Sequence, residues 1–396
     1  MTKYKSLWQL DPNVTFLNHG SFGACPIEVL DKQTELRTRL ELEPVRFMVR
    51  ELEGLLDEAR ASLAAFVGCD QADLAFVPNA TYAINSVLRS MKLRAGDELI
   101  VTNHEYNASK NAMDYVAEAA GAKTVVVDIP FPLHSSDEVL DRLLTAVTPR
   151  TRLLLVDHVT SPTALVFPLQ RIVRELATRG IETLVDGAHA PGMLPLELST
   201  LGAAWYTGNL HKWVCAPKGA GFLFVRSDLQ PTVRPAAISH GANSSRSDRS
   251  RFLLEFDWTG TFDPTPWLSV PTALRFFEGL PGGWDGVMKS NRELALQGRD
   301  LLCRALQCDP PAPDEMIGSM AAMILPDGRA ATAPSLYGDP LQDDLLSEFN
   351  IEVPIVPWPG PPHRLLRISA QLYNDVSDYE KLAEALKELL AREQRG

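Results

Sequence analysis

The chain has 396 residues, of which 45% are hydrophobic, 22% charged and 8% aromatic. That length suits two or three domains, and the balance excludes a disordered, collagenous or membrane-embedded chain. With 38 Lys and Arg against 50 Asp and Glu the formal net charge is −12, so a nucleic-acid backbone is repelled on average, and no long basic run offers a local exception.

The opening MTKYKSLWQLDPN lacks the apolar stretch of a secretory signal, and no segment has the uninterrupted apolar length of a membrane span. Cys25, Cys69, Cys215, Cys303 and Cys308 are scattered and odd in number, without C-x-x-C spacing. Neither a disulfide framework nor a zinc site is indicated, and reduced thiols in a cytoplasmic protein are expected.

Residues 27–67 carry apolar side chains at helical spacing, broken at Pro44 and stopped at Gly68, which predicts two helices. Short apolar runs then follow at 74–77, 98–101, 123–127, 152–156 and 182–185, separated by helix-like stretches beginning near Thr81, Asn107, Asp137 and Leu169. This is a βαβ rhythm. The runs are nearly continuous Val, Leu and Ile, which suits strands of a mostly parallel sheet covered by helices on both faces. WYT (205–207) and GFLFV (221–225) complete the sheet. Residues 240–251 read as a polar, mobile loop and 309–315 as a Pro-rich connection. Beyond about residue 266 a smaller αβ unit ends in an amphipathic helix, DYEKLAEALKELLAREQ.

Most familiar catalytic signatures are missing: no G-x-G-x-x-G after a strand, no phosphate-binding P-loop, no G-x-S-x-G, and no second His after His104-Glu105. The unusual stretch is LVDGAHAPG (184–192), followed by WYTGNLHKWVCAPKGAGFLFV (205–225). Asp186 would stand at the carboxyl end of a strand, where open α/β sheets bind ligands. Lys212, bounded by apolar residues, would have its amine pKa lowered by desolvation, which favours Schiff-base chemistry.

A lysine for an aldehyde, a carboxylate for a ring nitrogen and a helix start at Asn79-Ala80-Thr81 for a phosphate together suggest pyridoxal 5'-phosphate. Taken singly, Asp186 reads as a turn or cap, Lys212 as a surface charge, His189 as a packed histidine and Asn79 as an N-cap. Their conjunction shifts the balance.

DGAHAPG, GNLHKW and RISAQLYN resemble the class V aminotransferase family of fold-type I pyridoxal-phosphate enzymes. FLNHGSFGACP (16–26), EPVRFMVRE (43–51), NHEYNA (103–108) and HVTSPTALVFPL (158–169) are similar to its isopenicillin N epimerase-like branch. The resemblance implies an N-terminal segment (1–26) over the active site, a large cofactor-binding domain (27–265) and a small C-terminal α+β domain (266–396). It makes Lys212 the lysine that carries the cofactor and moves the α-proton, and Asp186 the partner of the ring nitrogen. His189 falls beside the 3-oxygen and joins Lys212 in catalysis.

Asn79, Ala80, Thr81, Asn209 and His211 fall around the phosphate, Ser161 at the cofactor, and Tyr106 on the ring face with His104 its near neighbour in register. Thr261 in WTGTFD matches a residue that reaches the phosphate of a neighbouring subunit, which implies a homodimer with shared active sites. Arg367 matches the arginine for the substrate α-carboxylate, its planar fork suiting that task. Asn18, His19 and Ser21 match the segment that closes over substrate.

The implied chemistry begins with loss of a proton from the α-carbon of an amino acid. Epimerisation leads, with β-elimination from a cysteine S-conjugate or sulfoxide, or transamination, as alternatives. A non-catalytic binding protein is a further reading from another class. Cysteine desulfurases need a nucleophilic Cys shortly before the carboxylate-binding arginine, and none lies between Cys308 and Arg367. Cys215 reads as a buried structural thiol.

Overall fold

A computed structural model of the chain describes residues 2–328 and 339–395. In chain order the strands are β1 (Thr15–Phe16), β2 (Leu74–Val77), β3 (Glu98–Thr102), β4 (Lys123–Val127), β5 (Thr151–Asp157), β6 (Glu182–Asp186), β7 (Trp205–Asn209), β8 (Gly221–Val225), β9 (Met320–Ile324), β10 (Ile351–Glu352), β11 (Ile355–Pro357) and β12 (Arg364–Ser369). The helices up to the end of the large sheet are α1 (His19–Phe22), α2 (Ile27–Leu42), α3 (Pro44–Arg46), α4 (Leu52–Val67), α5 (Ala80–Ser90), α6 (Asn107–Ala120), α7 (Ser136–Ala146), α8 (Leu169–Ala177) and α9 (Leu198–Leu201). Beyond it come α10 (Arg251–Phe256), α11 (Thr265–Leu268), α12 (Val270–Glu278), α13 (Gly283–Leu306), α14 (Pro340–Phe349) and α15 (Val376–Arg395).

Seven strands form the large sheet in the order β2-β8-β7-β6-β5-β3-β4. The βαβ rhythm gives parallel pairs from β7 through β4, while β8 runs against both its neighbours. Only a short loop separates β7 from β8, which permits an antiparallel return and leaves no room for a crossover helix. Leu153, Leu154, Leu155, Leu184 and Val185 are fully buried, as strands covered on both faces require.

Pro44 does end α2, but the chain re-enters helix at once: α3 leads into a π-helical turn over Phe47–Glu51 before α4. Phe47 is buried in that turn, whereas Val45 and Val49 are exposed. Gly68, in left-handed conformation, stops α4.

A second, three-stranded antiparallel sheet has the order β11-β12-β9. Its core draws on Ala295 and Leu302 of α13, Leu345 of α14 and Leu382, Leu386 and Leu389 of α15. The side chains of α11, α12 and the first turns of α13, from Trp267 to Val287, pack instead into the core of the large sheet. The N-terminal segment joins both units: β1 pairs in parallel with β10 and Leu17 is buried in the smaller core, while Trp8 and Cys25 pack into the core of the large sheet.

Residues 240–251 differ from the loop expected of their composition. They open with a 3₁₀ turn, and Arg246 and Arg249 are ion-paired to Glu53 and Asp57 of α4. All five cysteines are free thiols, with Cys215 buried. No helix among the described residues is long and apolar enough to cross a membrane.

Candidate active site

The loops leaving the carboxyl ends of β2, β3, β5, β6 and β7 converge on one cavity of about 230 Å³. Its lining includes Asn79, Ala80 and Thr81 after β2, Tyr106 after β3, Asp157 and Ser161 from β5 and its loop, and Asp186, Ala188 and His189 from β6 and its loop. Asn209, His211 and Lys212 follow from β7 and its loop, and Ser21 and Phe22 of α1 complete the wall. The parallel strands point the same way, so their loops collect at one edge of the sheet. His104 stays outside: its ring is buried, bonded to Thr163 and the Ile129 carbonyl and packed on Trp358.

Lys212 Nζ lies 3.0 Å from His189 Nε2. Burial first, then the nearby Arg367 charge, lowers the Lys212 pKa to about 7, against the pull of Asp186 and Asp157. Burial and the cations Lys212 and Arg367 also hold His189 well below its usual value, so its imidazole is neutral. The indole N–H of Trp213 points at His189 Nδ1 over 3.5 Å. A neutral ring that accepts at Nδ1 carries its proton on Nε2, the atom facing the lysine amine.

Asp186 accepts one hydrogen bond on each oxygen, from the Ala188 N–H at 3.0 Å and the Ser109 hydroxyl at 2.9 Å. Burial raises its pKa while those two donors and Lys212 oppose the rise. Gly187 lets this turn pass under Tyr206, since a Cβ there would stand 2.3 Å from the phenol ring.

At the start of α5, Asn79 caps through its side chain to the Tyr82 N–H, and Asn209 Oδ1 accepts from the Ala80 N–H. The first turn of a helix has no intrahelical acceptors for its N–H groups and favours an anion. His211, its pKa lowered to about 4 chiefly by burial and then by Lys212, stands beside it as a neutral ring bonded to the Ala220 carbonyl.

Arg367 is set just behind the wall. One terminal nitrogen donates to the Ser161 carbonyl at 2.6 Å and to its hydroxyl at 3.2 Å, and the other to the Ser21 hydroxyl at 2.9 Å. Its Nε is buried without a partner among the described residues. Burial lowers its pKa to about 10, with Tyr106 acting in the opposite sense.

The N-terminal residues separate. Ser21 lines the cavity, whereas Asn18 bonds to Glu352 and Ser21. His19, expected to close over substrate, is completely buried beneath the lysine instead, bonded to the Tyr373 hydroxyl at 2.8 Å and the Lys212 carbonyl at 3.0 Å. Its burial depresses its pKa to about 3, so it is a neutral strut. Thr261 is exposed and lies outside the cavity of its own chain.

Sequence reasoning missed Asp157, Glu105, Ser109, Phe22 and Trp213. The signal that singled out Asp186, a carboxylate ending an apolar strand, stands equally at Asp157 and could have found it.

A buried amine of lowered pKa, a carboxylate at a strand end and an open helix start, all on one cavity, fit pyridoxal phosphate. They would hold its aldehyde carbon, ring nitrogen and phosphate respectively. The fold and site are thus those of a pyridoxal-phosphate-dependent enzyme. The family model for class-V aminotransferases matches residues 24–304. The chain is 39% identical to isopenicillin N epimerase of Amycolatopsis lactamdurans, over 96% of each chain. It is 31% identical to a probable chloroplastic L-cysteine desulfhydrase of Arabidopsis thaliana, over 96% of this chain and 84% of that one. The solved structure of the cysteine desulfurase CsdA from Escherichia coli superposes with a TM-score of 0.77 at 22% identity, covering 98% of both chains. The chain belongs to the class V aminotransferase family of pyridoxal-phosphate-dependent enzymes.

Proposed function

We propose that the protein is an amino-acid epimerase, acting at the α-carbon of a substrate with a free amine and carboxylate. The observation that carries the amino-acid reading is Arg367: a buried guanidinium that has, among the described residues, an unpartnered Nε and no carboxylate, held behind the wall of the cavity that contains Lys212. A planar fork with spare donors is a carboxylate acceptor in waiting. Epimerisation is preferred on the likeness to isopenicillin N epimerase.

Bound pyridoxal phosphate supplies an electron sink that loosens the bonds at the α-carbon of an amine joined to it. Lys212, titrating near pH 7, can offer an unprotonated Nζ to the α-proton. His189 holds that amine in place through its Nε2–H, and Trp213 keeps the proton on the correct nitrogen. For the carboxylate to reach Arg367, the Ser21 hydroxyl must turn aside from the guanidinium, which makes α1 the part that responds to substrate. Asp186 would hold the ring nitrogen, and Asn79, Ala80, Thr81, Asn209 and His211 the phosphate.

A homodimer belongs to the same reading. Thr261 is exposed away from its own cavity, and Leu42, Val45 and Val49 put apolar surface on the same molecule's exterior, both in keeping with a neighbouring subunit.

The second reading is C–S lysis, favoured by the likeness to the desulfhydrase. The absence of a cysteine between Cys308 and Arg367 argues against a desulfurase. The test is incubation of the holoenzyme in deuterated water with a panel of amino acids that includes cysteine and its S-conjugates. Epimerisation gives α-deuterium uptake and interconversion of enantiomers without pyruvate or ammonia. Release of pyruvate and ammonia selects the lyase, oxo acid without ammonia that accumulates only when a second oxo acid is added to take up the amino group selects transamination, and no exchange with any amino acid overturns the enzyme reading.

A further inference from the structure

Asp186 is one of three buried carboxyl groups gathered beside the cavity. An oxygen from each of Glu105, Asp157 and Asp186 lies within 4.8 Å of the others, and all three residues are more than nine-tenths buried. Asp157 and Asp186 are register partners at the ends of β5 and β6, and Asp157 itself lines the cavity. Asp186 has a donor for each oxygen. Among the described residues Glu105 has none for either, and Asp157 lacks one for Oδ2. The Tyr106 backbone N–H lies near enough to ease a charge on Glu105 but is out of bonding geometry.

Among the described residues, few groups face this cluster. On the loop after β3, His104 precedes Glu105, but its ring, neutral through burial, turns away to Thr163 and the Ile129 carbonyl. The residue after β5, His158, is also neutral through burial and is bonded to Tyr206 of β7, a phenol kept neutral by burial and by Asp186. The loop after β6 brings neutral His189. The cation is Lys212, which acts on Asp157 and Asp186. Three acceptor-only carboxylates at this spacing, facing one amine, would repel one another, and a proton held between two of them removes that repulsion.

We propose that Glu105 is a neutral carboxylic acid whose hydroxyl donates to the Asp157 carboxylate, so that the pair presents one fixed negative charge beside Asp186. Glu105 thereby serves as a positioning residue for the charge at the end of the cavity where the cofactor's ring nitrogen would sit. The proton falls to Glu105 because Lys212 draws Asp157 toward its ionised form, while the charged groups that act on Glu105 are the two aspartates, which push it the other way.

The test compares Glu105→Gln and Asp157→Asn holoenzymes by the pH midpoint of the visible cofactor band, with infrared difference spectra against wild type. The amide of Glu105→Gln still donates to Asp157 and preserves the charge, so its midpoint stays at the wild-type value. Asp157→Asn removes the charge and lowers the midpoint by roughly one unit. The difference spectrum of Glu105→Gln also loses the carbonyl stretch of a protonated carboxylic acid. Equal shifts in both variants mean that both groups are ionised, and no shift in either means that both are neutral; either result overturns the proposal. So does a tightly bound divalent ion found at one per chain. If Asp157→Asn fails to fold, the infrared band of Glu105 decides alone. Failure of the cofactor assignment would show separately, as no visible band in any of the proteins.

Discussion

Arg364 and Arg367 stand three residues apart on β12, both buried, and among the described residues only one of them has anionic partners: Arg364 is clamped between Asp339 and Glu393, whereas Arg367 meets hydroxyls and a carbonyl. An odd spacing sends them to opposite faces of the strand. One face is closed by the protein's own acids and the other is left for a carboxylate from outside. Arg367→Lys keeps the charge but loses the fork. The expected result is a rise in KM for the amino-acid substrate of roughly 10- to 100-fold with a smaller change in kcat, measured by steady-state kinetics. An unchanged KM would place the carboxylate elsewhere.

Lys212 gives a pH signature in stability. Its pKa falls from 10.5 in the unfolded chain to about 7 in the fold, so between those values the unfolded state binds more protons. Stability of the cofactor-free protein therefore rises with pH across that window. Lys212→Met removes the titrating group. The variant should be more stable than wild type near pH 7 and lose that advantage as the pH approaches 10.5, in urea unfolding at a series of pH values. A constant difference across the window would mean that the amine is not depressed.

Trp213→Phe tests the tautomer of His189. The indole N–H that faces Nδ1 is lost while an aromatic ring is kept beside His19. With Nδ1 free to take the proton, Nε2 ceases to donate to Lys212 in part of the population. Activity should fall by about 10-fold with the pH midpoint of the rate displaced, while the melting temperature changes little. Wild-type pH dependence in the variant would assign the indole to packing alone.

Gly23 is where α1 turns back against the lysine loop. Its φ is +69°, and a Cβ would stand 2.0 Å from the His211 carbonyl oxygen. Gly23→Ala must push either α1 or the 211–212 backbone aside. The expected outcome is loss of bound cofactor, read as a fall in visible absorbance at equal protein concentration, with the secondary structure retained in far-ultraviolet circular dichroism. Retention of full absorbance would show that the segment can lift without disturbing Lys212.

The regular part of the fold was legible because each strand of the large sheet is a local apolar run and each helix between them is locally amphipathic. The runs at 74–77, 123–127 and 221–225 coincide with β2, β4 and β8. Periodicity carries no information on direction, so the reversal of β8 had to come from the short loop after β7. Likewise the charges at 246 and 249 read as a solvated loop, because their acidic partners on α4 lie almost two hundred residues away.

The sequence by itself determined the large α/β sheet, the strand-end aspartate and the lysine in its apolar surroundings, since all of these are written in neighbouring residues. Tertiary structure decided what those groups face. It sent His19 beneath the lysine, brought Trp213 to His189, and set Arg367 behind Ser21 and Ser161. It also gathered Glu105 and Asp157 beside Asp186. Such relations join residues from different loops at one edge of the sheet. Their protonation depends on burial and on neighbouring charge, neither of which exists until the strands are in register.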